Sequence, residues 1–201
     1  MEIKNIIFDF GDVLLDWNPR YLYEKHFVDK NEMNYFLKNI CNDDWNREQD
    51  RGRSFAEAVQ ILQKQFPEYR EQIAMFDDCW DTMLRSDIPG TVEILSQVSK
   101  THNIFGLTNW SAEKIKVAYE KYGFLKQFDG IIVSGEEKLI KPDHRIYELL
   151  LQRFGIKAEE SLFIDDNPAN VEAAKKVGIY AIQFLDPQSL KEVLKSFNIL
   201  P

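Results

Sequence analysis

Three carboxylates, one hydroxyl and one ammonium stand directly after, or shortly after, apolar runs of this sequence. They are Asp9, Asp165, Asp166, Thr108 and Lys141. Two consecutive carboxylates repel each other unless a cation lies near them, and Mg²⁺ prefers a few carboxylate oxygens together with the oxygens of a phosphate. A hydroxyl and an ammonium suit the remaining phosphate oxygens. Together these residue types predict a site for Mg²⁺ and a phosphoryl group.

Each of these residues, taken alone, also has an ordinary structural explanation. Asp9 could cap a turn, Thr108 could be a satisfied hydroxyl at a strand end, and Lys141 could be a solvated side chain. Asp165 and Asp166 precede a predicted helix start, where acidic residues are common. The functional interpretation therefore depends on whether the fold brings all five together.

The apolar runs are typical of strands that are buried on both faces of a parallel sheet. They occupy Asn5–Phe8 and residues 104–107, 131–133, 162–164 and 181–185. In an open sheet of this kind, ligands bind outside the carboxyl ends of the strands. The polar residues described above stand at, or close to, those ends.

Helical patterns alternate with the predicted strands at residues 112–122, 145–154 and 169–177. Each pattern ends at a glycine that is followed by an apolar residue, which is typical of a left-handed helix stop. The terminating glycines are Gly123, Gly155 and Gly178. The alternation predicts an α/β fold with a doubly wound, Rossmann-like parallel sheet.

Residues 16–86 interrupt this alternation. They contain no convincing strand and several amphipathic helical segments. A capping box that begins at Ser54 predicts a helix over Phe55–Gln65, and apolar residues recur at helical spacing over 69–84. The predicted domains are therefore an α/β core of residues 1–15 and 87–201 and an inserted α-helical bundle cap of residues 16–86.

Composition limits the partners of the chain. Its 201 residues carry 25 Lys and Arg against 33 Asp and Glu, a net charge of −8. Nucleic-acid backbones need clustered basic residues, so we predict no nucleic-acid partner. No apolar run reaches the roughly 20 residues that span a bilayer, and the N-terminus lacks signal-peptide features. Because Cys41 and Cys79 form no metal or disulfide pattern, we expect a cytoplasmic protein with reduced thiols, no membrane partner and an oligomeric state left open.

Four segments, in this order, resemble the signature of the haloacid dehalogenase superfamily of hydrolases, in the group with a helical cap inserted after the first segment. They begin at Phe8, Leu107, Lys141 and Phe163 and read FDFGDVL, LTN, KPD and FIDDNPAN. Their order and spacing are specific, and the resemblance covers essentially the whole chain. Within the superfamily, the sequence resembles the sugar-phosphatase-like branch that includes α-D-glucose-1-phosphate phosphatases and the N-terminal phosphatase domain of soluble epoxide hydrolases.

The resemblance implies a role for each matching residue. Asp9 is expected to be the nucleophile that carries an aspartyl-phosphate, and Lys141 to neutralise charge on it and on the transferring group. Thr108 and the backbone of Asn109 are expected to hold a phosphoryl oxygen. The expected Mg²⁺ ligands are Asp9, the carbonyl of Gly11, Asp166 and, as a further candidate, Asp165. Asn170 stands where many relatives carry a second acidic residue.

These roles imply a Mg²⁺-dependent phosphatase of a small phosphorylated metabolite, with a sugar phosphate as the favoured class. Two other functions stay open, and a third, a phosphosugar mutase, is disfavoured because mutases depend on proton transfer in both directions and the first segment lacks the usual acid–base Asp. A haloacid dehalogenase also uses an Asp nucleophile but needs no metal, so it leaves Asp165 and Asp166 unexplained. A catalytically weak binding or regulatory protein is favoured only by a departure in the first segment.

That departure concerns acid–base catalysis. Most phosphatases of the family read Asp-x-Asp-Gly, whereas this chain reads Asp9-Phe10-Gly11-Asp12. The second Asp protonates the leaving oxygen and then activates water, a contribution of about 10²–10⁴-fold that Gly11 cannot make. Either Asp12 takes over, one position late, or no residue does. In the second case the substrate needs a good leaving group, such as the anomeric oxygen of a sugar 1-phosphate.

The cap is expected to select the substrate, because it covers the opening above the nucleophile. Candidate substrate contacts are Trp17, Arg20, Trp45 and Arg51. Trp45 also belongs to a polar and aromatic patch, suited to a sugar ring, with Asp43, Asp44 and Asp50. Ordinary packing or surface exposure within the cap would explain the same residues equally well.

Overall fold

The computed structural model describes residues 2–201. Strands in these residues are, in chain order, β1 (Asn5–Phe8), β2 (Leu15–Trp17), β3 (Leu84–Asp87), β4 (Asn103–Thr108), β5 (Gly130–Val133), β6 (Ser161–Asp165) and β7 (Tyr180–Gln183). Five of them form one sheet in the order β5-β4-β1-β6-β7, and every pairing in it is parallel. The predicted α/β fold with a doubly wound parallel sheet is confirmed.

The helices divide into a group between β2 and β3 and a group that follows β3. The first group contains α1 (Arg20–Tyr23), α2 (Lys30–Asn39), α3 (Asp43–Asp50), α4 (Phe55–Gln65), α5 (Arg70–Asp78) and α6 (Trp80–Met83). The second contains α7 (Pro89–Val98), α8 (Ile115–Lys121), α9 (Ser134–Glu137), α10 (His144–Phe154), α11 (Pro168–Lys176) and α12 (Pro187–Ser196). Within residues 2–201, no helix has both the length and the apolar character needed to cross a membrane.

Side chains alternate between the two faces of the central sheet along each strand, and helices cover both faces. Ile6 and Phe8 of β1 lie in one apolar cluster with Leu95 of α7. Ile7 lies in a second cluster with Leu150 of α10. With helices on both faces, the carboxyl edge of the strands is the place where polar side chains can gather.

β2 and β3 correct the expectation that residues 16–86 contain no strand. They pair in antiparallel, with Asp16 opposite Ser86. Each is short and carries polar side chains, so no apolar alternation marks it, and the pairing joins segments that lie on either side of the cap helices. This ribbon takes the chain out of the core and back.

Two of the three predicted glycine stops are confirmed. Gly155 has φ +62° after α10, and Gly178 has φ +87° after α11, so both occupy the left-handed region that favours glycine. The prediction for Gly123 is wrong. α8 ends at Lys121, and Gly123 begins a 3₁₀-helix without a positive φ.

Three element boundaries also differ from the sequence pattern. The predicted helix at 69–84 is two helices, α5 and α6, which are separated at Cys79 because its backbone (φ −117°, ψ 24°) leaves the helical region. β7 ends before the predicted limit of 181–185, since its parallel ladder stops at Gln183. α8 begins three residues later than predicted, at Ile115.

Candidate active site

The three central strands bring polar side chains to one edge of the sheet. Asp9 follows β1, Thr108 ends β4 and Asp165 ends β6. Because β1 pairs in parallel with both neighbours, these three residues occupy adjacent positions of the edge. The backbone N–H of Asp9 continues the ladder by donating to the carbonyl of Ile164 at 2.9 Å.

The Lys141 ammonium occupies the centre of this edge and is fully buried. Its Nζ lies 2.8 Å from Asp9 Oδ1 and 2.7 Å from Asp165 Oδ2. It also donates to the carbonyl of Leu107 at 2.8 Å. All three N–H groups of the ammonium therefore have partners, as a buried charge requires.

The backbone of Lys141 is held by the side chain of Asn109. The Lys141 N–H donates to Asn109 Oδ1 at 2.9 Å, and Asn109 Nδ2 donates back to the Lys141 carbonyl at 3.1 Å. This reciprocal pair joins the end of β4 to the loop before α10. The side-chain amide of Asn109 is thus a positioning group, which leaves its backbone N–H as the part predicted to meet a phosphoryl oxygen.

Both ends of the Asp9–Lys141 pair are electrostatically perturbed. Burial alone would lower the pKa of Lys141, but the carboxylates of Asp165 and Asp9 raise it by more, so the net shift is upward. Burial raises the pKa of Asp9, with the Lys141 ammonium opposing the rise and Asp165 adding to it. The pKa of Asp166 is raised as well, by burial and by the charge of Asp165. The site holds more negative charge than one ammonium neutralises.

Asp165 and Asp166 play different parts in this charge balance. Asp165 is fully buried, and its oxygens already accept hydrogen bonds from Lys141, from the Asn167 N–H at 2.8 Å and from Asn170 Nδ2 at 3.0 and 3.1 Å. Asp166 is only partly buried, and no residue in 2–201 donates a side-chain hydrogen bond to its carboxylate. Asp165 therefore organises Lys141 and Asn170, while Asp166 has oxygens to offer.

The donor set fits a divalent cation. Carboxylate oxygens of Asp9, Asp165 and Asp166 lie within 4.8 Å of one another. Asp9 Oδ1 lies next to Lys141 and accepts from the Phe10 N–H at 2.7 Å. Hard oxygens with excess negative charge match the preference of Mg²⁺.

Thr108 supplies an unused hydroxyl beside these carboxylates. Its side chain is fully buried, and Oγ1 has no hydrogen-bond partner within residues 2–201. A buried hydroxyl without a partner costs free energy unless a ligand satisfies it. Thr108 is therefore suited to hold a phosphoryl oxygen.

Gly11 and Asp12 lie on the loop that follows Asp9. A Cβ placed on Gly11 would meet no atom within 4 Å, so the space of an acid side chain is open there. Asp12 is left-handed (φ 56°) and exposed, and its N–H donates to the Leu15 carbonyl at 2.9 Å. Partial burial, followed by the charges of Asp166 and Asp16, raises the pKa of Asp12 to about 6.

A cavity of about 90 Å³ opens between this loop and the cap, and Asp12 is not among the residues that line it. Its walls are Gly11, Trp17, Asn46, Asp50, Phe55, Trp80, Asn109, Trp110 and Ser111. The Trp80 ring lies 6.3 Å from that of Trp17 and 5.5 Å from that of Trp110, between centroids. The buried indole N–H groups of Trp17 and Trp110 have no acceptor in residues 2–201. The cavity is therefore lined mainly by aromatic side chains, together with the polar residues Asn46, Asp50, Asn109 and Ser111.

Among the cap residues predicted to contact substrate, the structure places Trp17 in this cavity and the other three elsewhere. Trp45 packs edge-to-face on Phe76 at 5.0 Å, and Arg20 donates to Asn34 Oδ1 at 2.8 Å. Arg51 lines a separate cleft of about 220 Å³ with Arg47, Lys138, Leu139, Ile140, Pro142, Asp143 and Arg145. Their roles in substrate binding stay predictions.

Sequence reasoning did not single out several walls of the cavity. They are Asn46, Phe55, Trp80, Trp110 and Ser111. For Trp110 and Ser111 a signal existed, because they directly follow Thr108 and Asn109 at a strand end. For the cap residues no local signal existed, since only the docking of the cap on the core brings them to the site.

A doubly wound parallel sheet, a helical insert after its first strand and a buried Asp–Lys–Asp cluster at the carboxyl edge define a capped α/β enzyme. The sequence matches the family model of the haloacid dehalogenase-like hydrolases over residues 3–178. The chain belongs to this family and is a hydrolase.

Curated relatives include phosphatases of different substrates. The chain is 29% identical over 184 residues to the sesquiterpene phosphatase AstK of Aspergillus oryzae, which covers 91% of this chain and 90% of the relative. It is 23% identical over 181 residues to the phosphorylated carbohydrates phosphatase of Thermotoga maritima, covering 90% and 84%. The narrower likeness to glucose-1-phosphate phosphatases stays a prediction.

Solved structures show the same fold. A haloacid dehalogenase family enzyme of Bacteroides thetaiotaomicron, crystallised as a magnesium complex, superposes with a TM-score of 0.76 at 20% identity. The match covers 97% of this chain and 100% of that one. At this identity the likeness concerns the fold alone.

Proposed function

We propose that this protein is a Mg²⁺-dependent phosphatase that hydrolyses a small phosphorylated metabolite, with a sugar phosphate as the favoured class. The observation that carries the proposal is the pairing of Asp9 with Lys141. Lys141 holds one oxygen of the Asp9 carboxylate at 2.8 Å. A carboxylate oriented in this way is suited to act as a nucleophile.

Asp9 and Asp166 are the side chains that would hold Mg²⁺, with the carbonyl of Gly11 as the predicted third ligand. When bound, the metal neutralises charge on the phosphoryl oxygens and orients them. The excess negative charge of the site supports this assignment. The magnesium complex of the structural relative from Bacteroides thetaiotaomicron is in keeping with it.

The residues of this chain divide the work of phosphoryl transfer. A carboxylate oxygen of Asp9 attacks phosphorus and forms an aspartyl-phosphate as the ester oxygen departs. Lys141 neutralises charge on Asp9 and on the transferring group, and Thr108 Oγ1 donates to a phosphoryl oxygen. Water then releases phosphate from Asp9. These contributions are positioning and electrostatic stabilisation, which suit a loose phosphoryl transition state.

The cavity supports a compact, hydroxylated substrate. Its volume of about 90 Å³ suits a small group. Aromatic faces bind the apolar face of a sugar ring, while the side chains of Asn46 and Asp50 suit its hydroxyls. The name of the Aspergillus oryzae relative indicates a terpenoid substrate for that protein. In the cavity of this chain, a terpenoid would leave the polar groups without partners.

A panel assay tests the proposal. Phosphate release is measured from sugar phosphates, nucleotides, small phosphoesters and a terpenyl phosphate, with Mg²⁺ and with a chelator, for the wild type and Asp9→Asn. Mg²⁺-dependent release, strongest for a sugar phosphate and absent in Asp9→Asn, supports the proposal. Halide release from chloroacetate without metal, or no phosphate release from any substrate, contradicts it.

A further inference from the structure

We propose that Asp50, at the end of cap helix α3, is the acid–base residue of this site and performs the proton transfers that Gly11 cannot. The inference rests on the proposed phosphatase function and adds a residue from the cap to its chemistry. Asp50 lines the same cavity as Gly11 and Asn109. Asp50 therefore borders the same space as the loop on which the acid of most family phosphatases stands.

The backbone at Asp50 is fixed to the core. Ser134 Oγ donates to the Asp50 carbonyl at 2.6 Å, and the same Oγ accepts from the backbone N–H of Trp110 at 2.9 Å. One core hydroxyl thus connects the end of α3 to the loop after β4. The position of Asp50 over the cavity is consequently defined by the docked cap and does not depend on a mobile loop.

A second close approach holds the same segment. Gly52 has φ +106°, a conformation that glycine adopts readily. A Cβ at this position would lie 3.2 Å from the carbonyl oxygen of Gly135, so the chain passes directly against the core. Two neighbouring contacts, at Asp50 and at Gly52, thus join the end of α3 to the core.

The carboxylate of Asp50 has no partner that would give it a structural role. Within residues 2–201 no group donates a hydrogen bond to it and no ion pair includes it. The charged groups that influence it are Arg47, on the same helix, and Lys141, on the core. Burial raises the pKa of Asp50 to about 7, although both cations oppose the rise. A group with such a pKa can give and take a proton near neutrality.

The proton transfers balance over one turnover. In the first step, a bond forms between Asp9 and phosphorus while the ester P–O bond breaks, and the proton of Asp50 goes to the departing oxygen. This step yields the free alcohol and an Asp50 carboxylate. In the second step, water bonds to phosphorus, the Asp9–phosphorus bond breaks and the Asp50 carboxylate takes the proton of that water. Inorganic phosphate leaves and both aspartates return to their starting states.

Asp50 fits this role better than Asp12. Asp12 lies in a left-handed turn, is exposed and does not line the cavity. Its raised pKa has a sufficient cause in burial and in the neighbouring charges of Asp166 and Asp16. Asp50, in contrast, lines the cavity from the cap side.

Leaving-group dependence separates an acid–base role from a binding role. Asp50→Asn is compared with the wild type on the best alkyl phosphate of the panel and on 4-nitrophenyl phosphate, whose leaving group departs without a proton. We expect a loss of about 10²–10⁴-fold on the alkyl phosphate. With 4-nitrophenyl phosphate we expect a burst of one nitrophenolate per enzyme at nearly the wild-type rate, followed by slow turnover, because the second step still needs a base.

Two further variants control for folding and for charge. Glu48→Gln removes an exposed carboxylate from the same helix and is expected to keep wild-type rates on both substrates. Asp50→Glu keeps the acid and is expected to recover much of the alkyl phosphatase rate, which a misfolded cap could not do. Thermal unfolding of each variant accompanies the kinetics.

Several results would overturn the inference. They are an Asp50→Asn rate within a few-fold of the wild type on the alkyl phosphate, an equal loss on both substrates with no burst, or no recovery in a folded Asp50→Glu. If the wild type releases phosphate, Asp9→Asn does not and Asp50→Asn is normal, the phosphatase proposal stands and only the role of Asp50 fails. If the wild type releases no phosphate, the phosphatase proposal itself has failed.

Discussion

Lys141 and Asp9 meet at 2.8 Å through one oxygen of the carboxylate. The Phe10 N–H donates to the same oxygen at 2.7 Å, so Oδ1 is held twice. These two contacts fix the orientation of the Asp9 carboxylate. Asp165 performs the corresponding task for Lys141, which it holds at 2.7 Å from the other side.

Asp9→Asn is expected to reduce phosphate release to the background rate, because an amide oxygen is a poor nucleophile. The substitution keeps the shape of the side chain, and Lys141 retains Asp165 as a partner, so the protein should stay folded. Steady-state release and the nitrophenolate burst are measured together. A burst of normal size in Asp9→Asn would rule out covalent catalysis by this residue.

Lys141→Ala is expected to lower the free energy of unfolding by about 3–5 kcal/mol, since it leaves buried carboxylates without their cation. Activity should also fall. Lys4→Ala is the matched control, because the Lys4–Glu160 pair at 2.9 Å is exposed to solvent and exposed pairs contribute little to stability. Urea unfolding followed by circular dichroism provides the comparison. Equal effects of the two variants would contradict the structural role assigned to the buried cluster.

Asp166→Asn is expected to weaken Mg²⁺ binding by at least about 10-fold while changing stability little, because its carboxylate is partly exposed. Asp165→Asn should instead lower stability, since Asp165 accepts hydrogen bonds from Lys141, Asn167 and Asn170. Calorimetric titration with Mg²⁺ and thermal unfolding distinguish the two. An unchanged Mg²⁺ affinity in Asp166→Asn would remove this residue from the metal site.

Restoring the order of residues that most family phosphatases carry tests the meaning of Gly11. Gly11→Asp and Asp12→Gly are introduced together into Asp50→Asn. Open space surrounds the Cβ position of Gly11, and glycine suits the φ of 56° at position 12. We expect the rate on alkyl phosphates to rise at least about 10-fold, because an acid then reaches the leaving oxygen from the core side. Asp12→Asn alone should change little, and an unchanged rate in the folded triple variant would contradict this account of Gly11.

The residues at the sheet edge could be predicted from the sequence because their positions follow from local rules. A short apolar run predicts a buried strand, parallel strands end at a common edge, and Asp9, Thr108 and Asp165 each stand at such an end. The sheet, the helical insert and the convergence of these side chains follow from that pattern. Sequence periodicity predicted the ends and breaks of helices less well, as at Gly123 and at the break in the helix at Cys79.

Only the tertiary structure decided which residues of the cap face the site. The β2–β3 ribbon joins segments on either side of the cap helices, and the contact of Ser134 with Asp50 sets where α3 docks. Local patterns contain no information about such contacts, because they depend on the packing of elements far apart in the chain. For that reason Trp45 and Asp50 lie in different surroundings, although they belong to one patch of the sequence. Trp45 packs on Phe76, whereas Asp50 lines the same cavity as Gly11.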